Sequence, residues 1–305
     1  MAVSHLNQSS PLLDLVGNTP LIEVNVFQES FPRSAVYAKL ESMNPGGSIK
    51  DRSVSRMLRD AQSNGSLGDN KVVLDSSSGN AGIAYAMFAS ALGHKVKIVI
   101  PDNASAERRQ RLEAHGAEIV LTDGVLGYDE ALLEVRRLYE GSPDRYFFAD
   151  QYSNESNWLA HYETTAHEIL SQAPNDFSHF ISGVGTGGTI TGVGRRLREE
   201  RPDVQIVAAI PPEFPGVEGL KPLGADHINP AIFDRSVVDH WIEIDIDASR
   251  QISFDLARTG IFAGQSSGAY MYVVRKILDQ DPDACIVTVF PDAGDRYFSV
   301  GLWEP

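Results

Sequence analysis

The chain's 305 residues suffice for a large core and, because single cores stop growing near that length, for two lobes. Apolar residues at 42% and charged residues at 22% are ordinary for a globular protein. The 26 basic and 41 acidic side chains leave a formal charge of −15 without an acidic tail. That balance disfavours nucleic acid and anionic membranes as partners, though not a small anion held by backbone N–H groups.

At the start of the chain, Met1-Ala2-Val3-Ser4-His5 lacks the basic and apolar regions of a signal peptide. No apolar run nears the roughly 18–20 residues of a membrane span, so a cytoplasmic location is expected. Two strand-like pieces, Pro20–Val24 and Val36–Glu41, come first and could pair with either lobe. Strands are then predicted at Lys71–Asp75, Lys95–Pro101, Ala117–Thr122 and Tyr146–Asp150, with helices over Gly82–Leu92, Ser105–His115 and Tyr128–Glu140. A boundary is expected near Asp150–Asn154. Beyond it, strands are predicted at Phe177–Ser182, Val204–Ile210, Trp241–Ile246 and Cys285–Phe290. Helices are predicted over Trp158–Gln172, Ile190–Glu200, Ser249–Thr259 and Ser267–Asp279. Cys285, the one cysteine, forms no internal disulfide and reads as a buried strand residue. Such alternation predicts an α/β fold with mainly parallel sheets.

In parallel sheets ligands sit beyond the carboxyl ends of strands, so the loops there carry the information. Asn44-Pro45-Gly46-Gly47-Ser48-Ile49-Lys50-Asp51-Arg52 leads into a helix with Ser48 expected as its N-cap, and Lys50 falls in the first turn. There the helix dipole disfavours a cation, which suits a lysine that must be partly neutral to form a Schiff base. Ser76-Ser77-Ser78-Gly79-Asn80-Ala81-Gly82 follows a strand and opens a helix, a nest for a carboxylate. Gly183-Val184-Gly185-Thr186-Gly187-Gly188-Thr189 exposes successive N–H groups and two hydroxyls, which suits a phosphate. It lacks the endings of the nucleotide P-loop and the dinucleotide fingerprint. Gly264-Gln265-Ser266-Ser267-Gly268-Ala269 opens another helix with hydroxyls. No metal site is expected: His161 and His167 face different sides of a helix, and there is no cysteine pair.

Taken in order, these loops resemble the cysteine synthase family of fold-type-II pyridoxal-phosphate enzymes. The likeness runs from Leu15-Val16-Gly17-Asn18-Thr19-Pro20-Leu21 to Asp295-Arg296-Tyr297. It implies a tryptophan synthase β-like α/β fold of two lobes, each a mainly parallel twisted sheet with helices on both faces. Residues 42–153 would form a smaller, mobile substrate-binding lobe, and 1–41 with 154–305 a larger lobe that binds the cofactor phosphate. It further implies pyridoxal 5'-phosphate as cofactor, with Lys50 as the catalytic Schiff-base lysine. Gly185, Thr186, Gly187, Gly188 and Thr189 resemble the phosphate loop, and Ser266 the serine facing the pyridine nitrogen. Ser77, Ser78, Gly79 and Asn80 resemble the substrate-carboxylate loop, with Asn80 also near the cofactor ring and Gln151 assisting.

The implied reaction is β-replacement on O-acetylserine or O-phosphoserine by a sulfur nucleophile, giving L-cysteine through an aminoacrylate. A homodimer is implied as well, with small-molecule partners and no membrane or nucleic acid. Asn157–Thr165 is similar also to the core of cystathionine β-synthase, and Gln151–His161 to enzymes making 2,3-diaminopropionate. A β-eliminating dehydratase or desulfhydrase and a non-catalytic relative that binds the cofactor are further readings. Ala81 stands where many relatives have threonine. In Gly219–His227, Lys221 is a cation that would favour a phosphate leaving group. A haem-binding arm and a regulatory C-terminal domain are not expected.

Overall fold

A β-strand that pairs in parallel needs a crossover of a dozen or more residues before its neighbour, so strand runs separated by amphipathic stretches become strand–helix units. The computed structural model describes residues 10–77, 79–224 and 227–304. Its first part contains α1 (Pro11–Asp14), β1 (Leu21–Glu23), β2 (Ala35–Leu40), α2 (Lys50–Ser63), β3 (Val72–Ser76), α3 (Asn80–Ala91), β4 (Val96–Pro101), α4 (Ala106–Ala114), β5 (Glu118–Thr122), α5 (Gly127–Gly141) and β6 (Tyr146–Phe148). There follow α6 (Glu155–Ala160), a π turn (His161–Thr165), α7 (Ala166–Gln172), β7 (His179–Gly183), α8 (Gly188–Glu200), β8 (Gln205–Ile210), β9 (His240–Glu243), α9 (Ile246–Arg258), α10 (Gln265–Leu278) and β10 (Cys285–Phe290).

The chain divides into two compact units, and the breaks fall at 16/17, 49/50 and 151/152 rather than at 42 and 153. The smaller unit holds residues 10–16 and Lys50–Gln151 around a parallel sheet ordered β5-β4-β3-β6. β4 is buried along its whole length, as a strand covered on both faces must be. Val54, Met57, Leu58 and Ala61 of α2, spaced by three and four, pack with Tyr85 and Phe88 of α3 against Val73, Ile98 and Ile100. A second cluster packs Ala131 and Val135 of α5 with Leu74, Val99 and Tyr146. The sheet is therefore covered on both faces.

The larger unit holds Gly17–Ile49 and residues 152–304 around a sheet ordered β1-β2-β10-β7-β8-β9. Only β1 runs antiparallel among these strands, so the two early strand-like pieces complete this sheet. Its core joins Phe180, Ile181, Val207, Val287 and Val289 to Val193 and Leu197 of α8 and Met271 and Val274 of α10. Most elements differ from their predicted ranges by one to three residues, and two of the differences have a local cause. The strand expected to reach Ile246 ends at Glu243, because the Asp245 carboxylate caps α9 by accepting the Ala248 N–H at 2.9 Å. The helix expected over Trp158–Gln172 begins at Glu155, capped by Asn154, and is interrupted by the π turn.

One strand position defies its polarity. Lys39, on β2, is fully buried. Its Nζ lies 2.7 Å from Glu168 Oε2 and donates to Thr19 O (2.8 Å) and Gln172 Oε1 (3.0 Å). Glu168 Oε1 accepts the Asn18 N–H at 3.0 Å, and Thr19 Oγ1 donates to Glu41 Oε1 at 2.7 Å. Asn44 closes the net, donating to Glu41 Oε2 and accepting the Gly17 N–H. These bonds tie residues 17–19 to 41–44, the segment that leads to Lys50. Removing one partner of such a pair strands a buried charge. Lys39→Ala is expected to lose about 3–5 kcal/mol in urea unfolding, and Lys39→Met with Glu168→Met to lose less than either single change.

Candidate active site

In the larger unit β7 delivers the chain through Val184–Gly187 into α8, whose first-turn N–H groups have no intrahelical partners. Gly187, at the N-cap, has a left-handed backbone (φ 80°) that L side chains rarely adopt. A Cβ there would also stand 2.6 Å from the Phe233 Cβ. At Gly188 a Cβ would stand 2.1 Å from Asn157 Oδ1. Asn157, on α6, is buried and donates to Thr186 Oγ1 at 3.0 Å, while the Gly188 N–H approaches the same hydroxyl at 3.4 Å. His161 braces Thr189 Oγ1 at 3.4 Å through Nε2 and meets Thr165 Oγ1 at 2.9 Å through Nδ1. The five predicted phosphate-loop residues, 185–189, thus form one cradle of amides and hydroxyls at the positive end of a 13-residue helix. A phosphate dianion fits that donor set.

Ser266 lies in the first turn of α10, buried in the same unit. The turn before it is fixed by the Gly264 N–H to Asp292 O (3.0 Å) and the Ser267 N–H to Gly264 O (2.9 Å). Gly264 is a close approach, since a Cβ would lie 2.0 Å from Asp292 Oδ1. Ser267 Oγ is buried without a hydrogen-bond partner among the described residues. Asp292 also pairs with Ser48, and Pro291 O accepts the Ile49 N–H at 2.8 Å, so the stretch before Lys50 is held at the end of β10. Ser48 is therefore in a bridge and not at the cap of α2, which starts two residues later at Lys50. Lys221 donates its N–H to Val184 O at 2.8 Å, and its Nζ reaches Ile228 O (3.3 Å) and stands 5.1 Å from the Tyr152 ring centre.

In the smaller unit Lys50 opens α2, and β3 delivers the chain through Ser77 and Gly79 into α3, which begins at Asn80. Ser78 lies outside the described residues. The loop folds tightly onto its own helix: the Gly79 N–H donates to Ser77 Oγ at 3.2 Å, and Gly82 leaves room for Ser77 O, 2.0 Å from where a Cβ would be. Gln151 is buried at the far end of β6 and its Nε2 donates to Ser76 O at 3.2 Å. The predicted carboxylate residues Ser77, Gly79, Asn80 and Gln151 are in this way brought onto neighbouring strand ends.

Comparison with known proteins bears on this pair of loop sets. A model of the family described as "Pyridoxal-phosphate dependent enzyme" matches residues 12–292. The chain belongs to this family. A cysteine synthase of Aquifex aeolicus is 42% identical over 96% of this chain and 92% of its own. A solved O-ureido-L-serine synthase superposes with a TM-score of 0.89 at 37% identity, covering 96% of this chain and 94% of that one. A cysteine synthase of Entamoeba histolytica gives 0.90 at 31% identity, covering 100% and 94%. This pyridoxal-phosphate dependent enzyme is of the β-replacing, cysteine synthase type.

Asn157, His161 and Asp292 were not singled out from the sequence as supports of the site. A signal existed for two of them: Asn157, His161 and Thr165 recur every four residues, a polar stripe that falls on the buried face of the helix. If Gly188 is a spacer against Asn157, Gly188→Ala should weaken pyridoxal-phosphate retention about tenfold or more, read by titrating apoprotein at the cofactor's visible absorbance. Gly68→Ala, at a position where a Cβ meets nothing within 4 Å, should leave it unchanged.

Proposed function

We propose that this enzyme replaces the β-substituent of O-acetylserine or O-phosphoserine by a sulfur nucleophile, giving L-cysteine. The observation that carries the reading is the ordered set of strand-end loops, held by a chain that aligns along nearly its whole length with cysteine synthases. When bound, pyridoxal phosphate supplies an electron sink that labilises the Cα proton and the β-substituent. Lys50 Nζ would hold the cofactor through its aldehyde and, once freed, would accept the substrate's Cα proton as general base. Gly185–Thr189 hold the phosphate. Ser77, Ser78, Gly79, Asn80 and Gln151 hold the substrate carboxylate. The Ser266 hydroxyl would serve as partner to the ring nitrogen and, not being an acid, would not hold it protonated, which would favour β-departure over transamination. A homodimer and a cytoplasmic location belong to the same reading; among the described residues no helix is long and apolar enough to cross a membrane. The likeness to O-ureido-L-serine synthase favours one second reading, in which the incoming group attaches through oxygen.

Lys50→Ala protein is expected to lose the visible absorbance of the lysine-bound cofactor and at least about a thousandfold in β-replacement. Retention of that band would overturn the assignment of Lys50. The leaving group turns on Lys221, the one cation proposed for substrate, held over Tyr152. Lys221→Ala should lower kcat/KM for O-phosphoserine about tenfold more than for O-acetylserine, as expected of a charge-assisted contact to phosphate. Equal losses on both substrates would remove O-phosphoserine from the reading. A panel of sulfide, thiols and hydroxylated ureas then separates sulfur from oxygen nucleophiles.

A further inference from the structure

Asp75 has no part in the roles above, yet it sits fully buried at the end of β3, immediately before the serine loop. Its Oδ1 accepts the Ser76 N–H at 2.7 Å, and the Gln151 N–H also bears on its carboxyl. Ser76 O accepts from Gln151 Nε2 and from the Tyr128 hydroxyl, which Ser76 Oγ also meets at 3.2 Å. Asp75 and Ser76 are therefore the joint that keeps the serine loop and Gln151 at a common spacing.

The joint holds more acid than it can solvate. Leu74 is in register with Phe148, so Asp150 lies just past the paired strand ends. Asp150 has a left-handed backbone (φ 46°), and its Oδ1 is buried without a hydrogen-bond partner among the described residues. Asp75 Oδ2 likewise has no well-formed bond among the described residues, although the Tyr85 hydroxyl, 3.9 Å from the Met57 sulfur, lies near enough to bear on the carboxyl. The elements around it bring no cation among the strongest influences: β4 offers Ile98 in register, α3 Tyr85, α5 Tyr128 and the end of β6 Asp150. Burial, with the Asp150 charge adding to it, raises the Asp75 carboxyl to about 7 against the pull of the Ser76 and Gln151 N–H groups and the Tyr85 hydroxyl.

We propose that Asp75 is a positioning residue for the grip on the substrate carboxylate: with its proton in place the Ser77–Asn80 loop and Gln151 keep their spacing, and on ionisation the buried charge draws in water, the spacing loosens and amino-acid binding weakens. The proposal rests on the reading of that loop as the carboxylate site. The same linkage acts on stability. The folded chain keeps a proton that the unfolded chain releases, so the contribution of Asp75 is full at low pH, falls as pH rises from the ordinary 3.8 to about 7, and is flat above.

The test titrates holoenzyme with L-serine, reading the cofactor's visible absorbance, for wild type, Asp75→Asn, Asp150→Asn and Asn80→Ala from about pH 6 to about pH 8.5. The substrate amine titrates alike in all, so the ratio to wild type isolates the protein. Asp75→Asn affinity is expected to equal wild type at the acid end and exceed it several-fold at the alkaline end, with KM moving and kcat nearly still. Asp150→Asn, which tolerates the left-handed backbone, should shift the wild-type midpoint to lower pH and decides the matter if Asp75→Asn fails to fold. A flat ratio, or an unmoved midpoint in Asp150→Asn, overturns the role of Asp75. Unchanged affinity in Asn80→Ala overturns the carboxylate site itself.

Discussion

Parallel pairing is the constraint on which both units depend. A parallel strand cannot turn back to its neighbour, so β3 and β7 each hand the chain to a helix, and each helix start presents N–H groups without intrahelical partners. Unsatisfied donors beside buried strand ends are costly unless side chains, water or an anion meets them. The smaller unit meets this with hydroxyls, Ser77 bonding back to Gly79. The larger one meets it in part with Thr186, itself anchored by Asn157. The remaining donors at α8 are what a phosphate dianion would satisfy, so the proposed cofactor binding there would complete a requirement that the sheet's connectivity creates.

Close packing then decides which residues can stand in these loops. Gly82 lets Ser77 O fold over the first turn of α3, and Gly188 lets Asn157 reach Thr186. In neither place is mobility the point. A methyl group would collide with Ser77 O in one place and with the buried amide of Asn157 in the other, and either helix start would have to shift. The antiparallel β1–β2 pair escapes the crossover rule, and it carries no site residue. It carries Lys39 instead, whose bonds to Thr19 and Glu168 fix the chain on its way to Lys50.

Much of this was legible because the relevant signals are local. Buried parallel strands read as β-branched, mostly apolar runs, interrupted here only by Lys97 and Thr288, which is why Val96–Pro101 and Cys285–Phe290 were found nearly to the residue. The glycine and hydroxyl loops announced themselves by composition, and their order along the chain carried the resemblance. What was not legible depends on partners far away in sequence. Asn157 and Thr186 are 29 residues apart and Lys39 and Gln172 are 133 apart, so nothing beside either residue tells of the bond. Ser48 reads as an ideal helix cap until the bridge to Asp292 claims it. The π turn at His161–Thr165 leaves no mark that a helix prediction would register.

Lys39 and Asp75 are both fully buried and ionisable, and the fold treats them in opposite ways. Lys39 has a carboxylate at 2.7 Å and two further acceptors, so its charge is matched and the surrounding loops are locked to it. Asp75 has two backbone donors, the Tyr85 hydroxyl beside it and a second carboxyl for company. With no ion-pairing cation among the described residues, the cheapest response is to keep the proton. A matched buried charge locks its partners together and suits a scaffold. A buried acid held near neutrality by its surroundings is instead a joint whose stiffness depends on one proton, and this one lies under the loop proposed to take hold of the substrate.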